Sequence, residues 1–187
     1  WESFLEEKGQ FGKIDVELLN GPSSDEPAMS GNGHDTVQQG SSRTATSVAP
    51  PDRNPVSKIR PKIGEEFCFR LNGGFSGMVL GFQSRMLWWE PLPLQGSMMA
   101  TMLSSKHRYL PFSDRNRPLP LVEQDQPGRR KFAFIISNDP LLTDFLKLVS
   151  DQWKFDDTLL DAFVQRLLAS RHPHHVLRLN VHFVLNG

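Results

Sequence analysis

The sequence predicts an α+β fold: a mostly antiparallel sheet with two or three packed helices, plus an N-terminal arm on a flexible linker. Short apolar runs with a period of two alternate with Gly, Asn and Pro turn signals in the second half of the chain. Two segments near the C-terminus carry apolar residues at helical spacing. A Gly-, Pro- and Ser-rich stretch separates the first residues from the rest. We therefore expect an arm (1–20), a linker (21–58) and a globular domain (59–187).

The arm combines a short helix with a strand. Trp1, Phe4 and Leu5 share one face of a helix in WESFLEEKG, and Gly9 supplies a C-terminal stop. KIDVELL then alternates apolar and charged residues, as half-buried strands do. We expect the arm to add a strand to the domain or to a neighbouring chain. Trp1, Phe4 and Leu5 are therefore candidate partner contacts.

The predicted linker differs in composition from both of its neighbours. Gly, Pro and Ser occupy 16 of the 40 positions from 21 to 60, and no aromatic residue occurs among them. Such a stretch cannot bury enough apolar surface to offset its conformational entropy. The sequence therefore predicts a flexible connection.

The domain begins with three apolar runs. EFCFRL alternates as a strand, the NGG turn at 72–74 follows, and FSGMVLGF resumes, so we predict a β-hairpin. MLWWEPL is the third run. SMMATMLSS then predicts a helix capped by Ser97. The apolar stripe of that helix is Met98, Met99, Met102 and Leu103.

The second half of the domain supplies the other helices. The stretch 109–130 is rich in Pro, Arg and Asp and predicts a long exposed loop, after which KFAFIIS predicts a buried strand. The residues at 138–140, NDP, place an N-cap before a proline at the first position of the helix LLTDFLKLVSDQW. A second helix begins near Asp157, and Pro173 stops it before a terminal strand.

Charge and cysteine content exclude several function classes. Lys plus Arg equals Asp plus Glu, at 21 each, so no net charge favours nucleic acid or an anionic membrane. A single cysteine, Cys68, excludes an internal disulfide and a zinc site built on paired thiolates. We find no apolar run of about 18 residues and no signal peptide. We therefore expect no membrane span and a reducing, cytoplasmic setting.

Four of the six histidines lie in the last part of the chain, at 170–187, which raises the question of a metal site. We expect a terminal strand in which apolar residues such as Leu177 and Leu179 alternate with residues on a second, more polar face, which includes His174, Arg178 and His182. On that face His174 and His182 lie roughly 26 Å apart, at about 3.3 Å per residue. No carboxylate lies among these histidines, although metal sites commonly combine them with thiolates or carboxylates. We expect no metal ion and no other cofactor.

Signatures of known enzymes are missing from the sequence. NGGFSGMV is similar to the glycine-rich loop of kinases, but Asn72 replaces the first glycine and the strand lysine is missing. No HExxH, Walker, GxSxG or CxxC motif occurs. Cys68, between two phenylalanines, is interpreted as a packed residue. An enzyme whose site is assembled from distant residues around Cys68 or the C-terminal histidines stays an alternative, but the sequence favours a non-catalytic role.

Two features favour a protein partner. Trp88 and Trp89 are adjacent, so they face opposite sides of a strand, and at most one of them lies in the same core. The other either packs in a sheet that is covered on both faces or anchors a partner. In RNRPLPLVEQ, prolines that favour an extended conformation lie beside arginines, which suits docking in an aromatic groove or on an acidic surface. The candidate contacts in this loop are Arg115, Arg117, Pro118 and Pro120.

The basic stretch 106–131 raises a further alternative. It contains seven basic and three acidic residues, so a nucleic-acid-binding domain is conceivable. Few aromatic residues lie nearby to stack on bases, so nucleic acid is not the expected partner. We predict a non-catalytic protein–protein interaction module, a subunit or adaptor of a larger assembly. Its partner is another protein chain, with a homo-oligomer through the arm as one form.

Overall fold

Three layers of secondary structure build the protein. The structure, a computed structural model, describes residues 1–19, 56–85, 88–95, 98–149 and 152–186. Its elements in chain order are α1 (Glu2–Lys8), β1 (Ile14–Leu18), β2 (Glu66–Leu71), β3 (Gly77–Arg85), β4 (Trp88–Pro91), β5 (Ala100–Leu103), β6 (Tyr109–Leu110), β7 (Leu121–Val122), β8 (Gly128–Ser137), α2 (Pro140–Val149), α3 (Asp157–Ala169) and β9 (His174–Phe183). The predicted α+β class with mostly antiparallel pairing is confirmed.

The strands form two antiparallel sheets rather than one. The large sheet has the order β4-β3-β8-β9, with β5 also paired to β3. The small sheet has the order β1-β2-β6, with β7 also paired to β2. The helices cover one face of the large sheet and the small sheet covers the other. Because both faces are covered, KFAFII in β8 is apolar at every position except its first, instead of alternating.

The two faces of the large sheet form two cores. The helix–sheet core includes Phe82 of β3 and Phe163 of α3. The inter-sheet core includes Phe69 of β2, Phe134 of β8 and Phe183 of β9. The alternation predicted for the terminal strand is confirmed over β9, whose odd-numbered residues face the small sheet.

The first 19 residues, called the N-terminal segment below, contribute to both cores. Trp1, Phe4 and Leu5 join the helix–sheet core. Ile14 and Val16 of β1 join the inter-sheet core, and β1 pairs antiparallel with β2. The segment therefore adds its strand to the body of its own chain. The predicted linker lies outside the described residues except at 56–58.

Residues 56–58 touch the body at the edge of the large sheet. Val56 forms a parallel bridge with Asn180 of β9, and Ser57 Oγ donates a hydrogen bond to Asp15 Oδ1 at 2.6 Å. Gln10 also bridges to β9. These bridges cover the edge strand β9, whose backbone groups are otherwise open to pairing with other chains.

Both long helices begin as predicted. Asp139 Oδ1 accepts a hydrogen bond from the backbone N–H of Leu141 at 2.8 Å, and Pro140 is the first residue of α2. Asp156 Oδ1 likewise accepts from the N–H of Leu159 at 2.7 Å at the start of α3. These side chains satisfy N–H groups that have no partner within the helix.

The predicted hairpin between EFCFRL and FSGMVLGF is wrong. β2 belongs to the small sheet and β3 to the large sheet, so residues 72–74 connect two layers instead of two paired strands. The reason lies in packing. The apolar face of β2, with Phe67 and Phe69, is buried between the sheets, which requires β2 to lie over the large sheet rather than beside β3.

The predicted methionine helix is also wrong, since residues 100–103 form β5. Met102 lies opposite Met78 in the antiparallel pair with β3. Short apolar runs do not distinguish a helix from a strand, and here the open edge of β3 decides for the strand. Met98 and Met102 are 57% and 58% exposed, so the predicted buried stripe does not form. Ser97, its predicted cap, lies outside the described residues.

Two other boundaries differ from prediction. The stretch 109–130 is not one loop, because it contains β6, β7 and the start of β8. The helix predicted to reach Trp153 is described only as far as Val149, where α2 ends.

Candidate partner-binding surface

One ordered loop carries four of the predicted partner contacts. Residues 104–120, called the basic loop below, lie between β5 and β7 and include β6. The ring of His107 stacks on Phe112 with 3.9 Å between centroids. Asn116 Nδ2 donates a hydrogen bond to the backbone oxygen of Lys106 at 3.2 Å. These contacts join the two halves of the loop and hold it in one conformation.

Four cations project from the basic loop. Lys106, Arg108, Arg115 and Arg117 are exposed, and within the described part of the chain none of them forms an ion pair. The loop contains one carboxylate, Asp114, so four positive charges and one negative charge leave a net charge of +3. Like charges held together in this way favour the approach of an anionic surface.

The prolines of the basic loop are less accessible than its arginines. Pro118 is half-buried and forms a bridge with Phe112, whereas Pro120 is exposed. Between them Leu119 is 37% exposed, and its N–H donates to the backbone oxygen of Pro111 at 2.9 Å. One side of the stretch 118–120 is therefore already paired with backbone groups of the same loop. The side chains of Arg115 and Arg117 are the groups exposed to solvent.

Trp88 and Trp89 face opposite sides of β4, as predicted. Trp89 is 4% exposed in the helix–sheet core, and its Nε1 donates to Glu2 Oε1 at 3.2 Å. Trp88 is half-buried on the other side, with Lys154 Nζ 4.0 Å from its ring centroid. The same Nζ lies 4.3 Å from the ring of Trp153, which is 67% exposed. The surface aromatic pair is therefore Trp88 and Trp153.

The predicted contacts of the N-terminal segment lie inside the core of their own chain. Trp1, Phe4 and Leu5 are 7%, 6% and 3% exposed. The ring of Trp1 lies 5.0 Å from that of Phe82 and 5.6 Å from that of Trp89. A partner could reach these three side chains only after the segment had left its own chain.

The basic residues at 129–131 do not extend the surface of the basic loop. Arg130 is 8% exposed, and its Nε lies 3.5 Å from an oxygen of the buried Glu123. Glu123 also accepts a hydrogen bond from Arg85 Nη1 at 2.9 Å. Lys131 pairs with Glu2 at 2.9 Å. Two of the three cations in this run are therefore used in ion pairs within the chain.

Cys68 lies in a setting that disfavours nucleophilic chemistry. Its side chain is fully buried, and this burial, together with the negative charge of Glu17, raises the pKa of the thiol from 9.0 to about 12. The reactive species of cysteine is the thiolate, which is scarce at neutral pH when the pKa is so high. Among the described residues, no group of three or more His, Cys, Asp and Glu side chains is placed to hold a metal ion.

Comparisons with known proteins supply no family for this chain. No protein-family model matches it, and no curated protein or solved structure is significantly similar to it. Across the residues that the structure describes, no helix is long and apolar enough to cross a membrane. Its function has to be argued from its own residues.

Three surface and cavity residues were not predicted from the sequence. The sequence predicts a helix that reaches Trp153, and it gives Lys154 no role. Both residues in fact lie between α2 and α3, just before the cap at Asp156, and that cap is the signal from which a loop could have been predicted here. Arg178 was placed on the polar face of the terminal strand. The alternating pattern does not reveal which charged residues form ion pairs, and Arg178 forms none with the described residues.

Proposed function

We propose that the protein is a non-catalytic interaction module, a subunit or adaptor, which binds another protein chain through the basic loop. The observation that carries this proposal is the set of four exposed cations on one ordered loop, none of them in an ion pair with a described residue. The partner that fits these cations is an acidic protein segment. The single cysteine favours a reducing, cytoplasmic setting for this interaction.

The order of the basic loop supports this proposal. The N–H of Ser113 donates to the backbone oxygen of Arg117 at 2.9 Å, and the N–H of Asn116 donates to that of Ser113 at 2.8 Å. A loop that is already ordered loses little conformational entropy on binding. Three of the four cations are arginines, whose planar guanidinium groups bind carboxylates through two parallel hydrogen bonds. The loop is therefore suited to recognising several Asp or Glu side chains.

Trp88 keeps its role as a candidate anchor in this proposal, and Trp153 joins it. Exposed tryptophan contributes strongly at protein interfaces because a large apolar surface leaves water. Trp1, Phe4, Leu5 and Trp89 carry no partner contacts in the proposal, because the folded chain already buries them.

A protein partner is favoured over nucleic acid by the rings near the four cations. Proteins that bind single strands stack bases on exposed aromatic rings. In the basic loop, Phe112 is stacked on His107, so one face of each ring is already covered. An enzyme built around Cys68 is not part of the proposal, because that thiol is buried and protonated at neutral pH.

The proposal is tested by titrating a fluorescent polyglutamate peptide into the native chain and into a loop variant, with fluorescence anisotropy as the readout. The loop variant replaces all four cations: Lys106→Gln, Arg108→Gln, Arg115→Gln and Arg117→Gln. At about 0.5 kcal/mol for each exposed charge pair, we expect roughly tenfold to a hundredfold weaker binding. The native affinity is expected to fall as salt is added.

A matched control removes the same number of exposed cations elsewhere: Lys58→Gln, Arg60→Gln, Arg166→Gln and Arg171→Gln. This variant is expected to bind the peptide as the native chain does. Equal losses in both variants would mean that net charge alone attracts the peptide, and the proposal would fail. A single-stranded oligonucleotide that binds more tightly than the peptide, and is lost only in the loop variant, would establish the nucleic-acid alternative instead.

A further inference from the structure

A cavity of about 240 Å³, lined by both charged and apolar side chains, lies between α1 and the large sheet. Its apolar walls include Leu5 of α1 and Trp89 of β4. A cavity needs roughly 10–15 Å³ to hold one water, so this one holds several. That is enough for a small organic molecule and too little for a typical drug-sized ligand, which needs about 300 Å³ or more.

Five charged side chains line this cavity, and the cations outnumber the acids. Arg129 and Lys131 of β8 and Arg178 of β9 lie on the same face of the large sheet. Glu2 and Glu6 of α1 lie opposite them. Three positive and two negative charges leave a net charge of +1 at the cavity wall.

Arg178 is a partly buried cation of this cavity that contacts no anion among the described residues. Within the described ranges it forms no ion pair, and its Nε is buried without a hydrogen-bond partner. Its guanidinium carbon lies 4.1 Å from the centroid of the Phe11 ring. Burial lowers the pKa of Arg178, although the negative charges of Glu6 and Glu2 oppose that change. A partly buried cation without a contacting anion is costly, and an anion bound beside it removes that cost.

Lys131 shows the contrasting case in the same cavity. It pairs with Glu2 at 2.9 Å, and Glu2 also accepts a hydrogen bond from the indole N–H of Trp89 at 3.2 Å. Both oxygens of this carboxylate are therefore engaged away from Arg178. Glu6 acts on Arg178 through its charge but forms no ion pair with it among the described residues, so the guanidinium has no contacting anion there.

We propose that this cavity binds the carboxylate of a small organic acid, with the guanidinium of Arg178 as the main contact and Arg129 beside it. A monoanion neutralises the net charge of +1, whereas a doubly charged phosphate ester leaves a net negative charge. Leu5 and Trp89 offer apolar contacts to the body of the acid. The site shares no residue with the basic loop, so it is independent of the function proposed above.

The experiment titrates sodium benzoate into the native chain and follows the side-chain Nε–H resonances of arginine by NMR, in a buffer free of carboxylates. We expect the Arg178 resonance to move and saturate. Benzamide has the same shape without the charge, and phenyl phosphate carries a second charge. We expect both to bind at least about tenfold more weakly than benzoate, because a good charge-assisted hydrogen-bond pair contributes about a factor of ten or more.

The variant Arg178→Met removes the charge and keeps most of the aliphatic stem. We expect benzoate to bind it about tenfold more weakly, with benzamide unaffected. The matched control, Arg166→Met, removes an exposed arginine of α3 that lies in neither proposed site, and it should bind benzoate as the native chain does. Should Arg178→Met fail to fold, the native Arg178 resonance and the exposed variant Arg129→Met, expected to weaken benzoate a few-fold, decide the question.

Three results would overturn the proposal. In the first, the Arg178 resonance stays in place while benzoate is added. In the second, benzoate and benzamide bind equally well, so that the charge makes no difference. In the third, phenyl phosphate binds more tightly than benzoate, and the carboxylate assignment is then wrong.

Discussion

The N-terminal segment and the basic loop are both short stretches predicted to contact a partner, and the folded chain uses them in opposite ways. The segment buries Trp1, Phe4 and Leu5 in one core, and its strand contributes to the other. The basic loop is held together by contacts of its own, yet its four cations are exposed to solvent. The comparison indicates that the apolar side chains of a terminal segment are buried by their own chain. Exposed cations that form no ion pair with a described residue remain available to a partner from outside.

The energies of the two stretches differ accordingly. Burying one large apolar side chain contributes about 1.5–3 kcal/mol, so the five buried side chains of the N-terminal segment contribute roughly 8–15 kcal/mol. A whole domain is stable by only about 5–15 kcal/mol. Exposed charges contribute far less to stability, and their removal usually changes it by about 0.5 kcal/mol or less. The segment therefore belongs to the folding unit, and the basic loop is an addition to it.

Deleting residues 1–19 is the change with the largest expected effect. The remaining chain should lose its cooperative unfolding transition, because the lost burial is comparable to the total stability. Urea titration followed by circular dichroism measures this, with size exclusion and light scattering to detect association through the uncovered cores. A truncated chain that unfolds cooperatively at the native urea midpoint would show that the segment is only a tail.

Matched apolar truncations compare the two stretches directly. Phe4→Ala should destabilise the protein by about 3–5 kcal/mol, because it opens a cavity in the helix–sheet core. Leu119→Ala, in the basic loop, should cost about 0.5 kcal/mol or less, because that side chain is 37% exposed. Urea midpoints of the two variants and the native chain supply both values. Equal costs would mean that the segment is not docked in solution as it is in the structure.

Cys68 reports on the same docking by its reactivity. It lies on β2 opposite Glu17 of β1, and its pKa of about 12 lowers the thiolate fraction at pH 8 by about a thousandfold relative to a thiol at 9.0. Iodoacetamide should therefore label the native chain at least about a thousandfold more slowly than the urea-unfolded chain. Phe4→Ala should accelerate labelling, and the loop variant should not. Rapid labelling of the native chain at pH 8 would contradict the buried position of this thiol.

The same thiol gives stability a defined pH dependence. Because its pKa is raised on folding, the folded chain keeps the proton at a pH where the unfolded chain releases it. This contribution is complete below about pH 9 and declines as the pH rises towards 12, by up to about 1.4 kcal/mol per pH unit. A Cys68→Ala variant should lack this part of the alkaline loss.

Local patterns predicted most of the individual elements correctly. The caps at Asp139 and Asp156 and the alternation in β1 and β9 depend on neighbours within a few residues, so a sequence contains the information for them. The predicted hairpin is wrong because the NGG turn indicates only that the chain changes direction. It does not determine which sheet the next strand joins. The methionine helix was wrong because the edge of β3 that pairs with β5 is a distant feature of the fold.

The candidate sites were less predictable than the fold. Arg115 and Arg117 could be found from the sequence because prolines and arginines in a loop are visible there. The burial of Trp1 depends on contacts with Phe82 and Trp89, which lie about 80 to 90 residues away in the sequence, and no local pattern specifies them. The charge balance around Arg178 depends on where α1 places Glu2 and Glu6. Charge balance in a cavity is a property of the folded chain.

Asn116 tests whether the order of the basic loop matters. Its φ of 58° lies in the left-handed region, which asparagine tolerates better than alanine, and its side chain bonds to the backbone oxygen of Lys106. Asn116→Ala should cost about 1–2 kcal/mol and weaken polyglutamate binding a few-fold. Asn116→Gly keeps the backbone conformation accessible and should be milder. If Asn116→Ala bound the peptide with unchanged affinity, the conformation of the basic loop would make no difference to binding.

The smallest expected effect on stability is that of the loop variant, in which four cations become glutamine. Its urea midpoint should lie within about 0.5 kcal/mol of the native value, because none of these side chains pairs with a described residue and their mutual repulsion is relieved. A loss of peptide binding at nearly unchanged stability would show that the cations of the basic loop serve binding and not folding. The buried side chains of the N-terminal segment, by contrast, cannot be changed without a loss of stability. A destabilisation above about 1 kcal/mol would mean that these cations serve the fold, and the contrast between the two stretches would then be wrong.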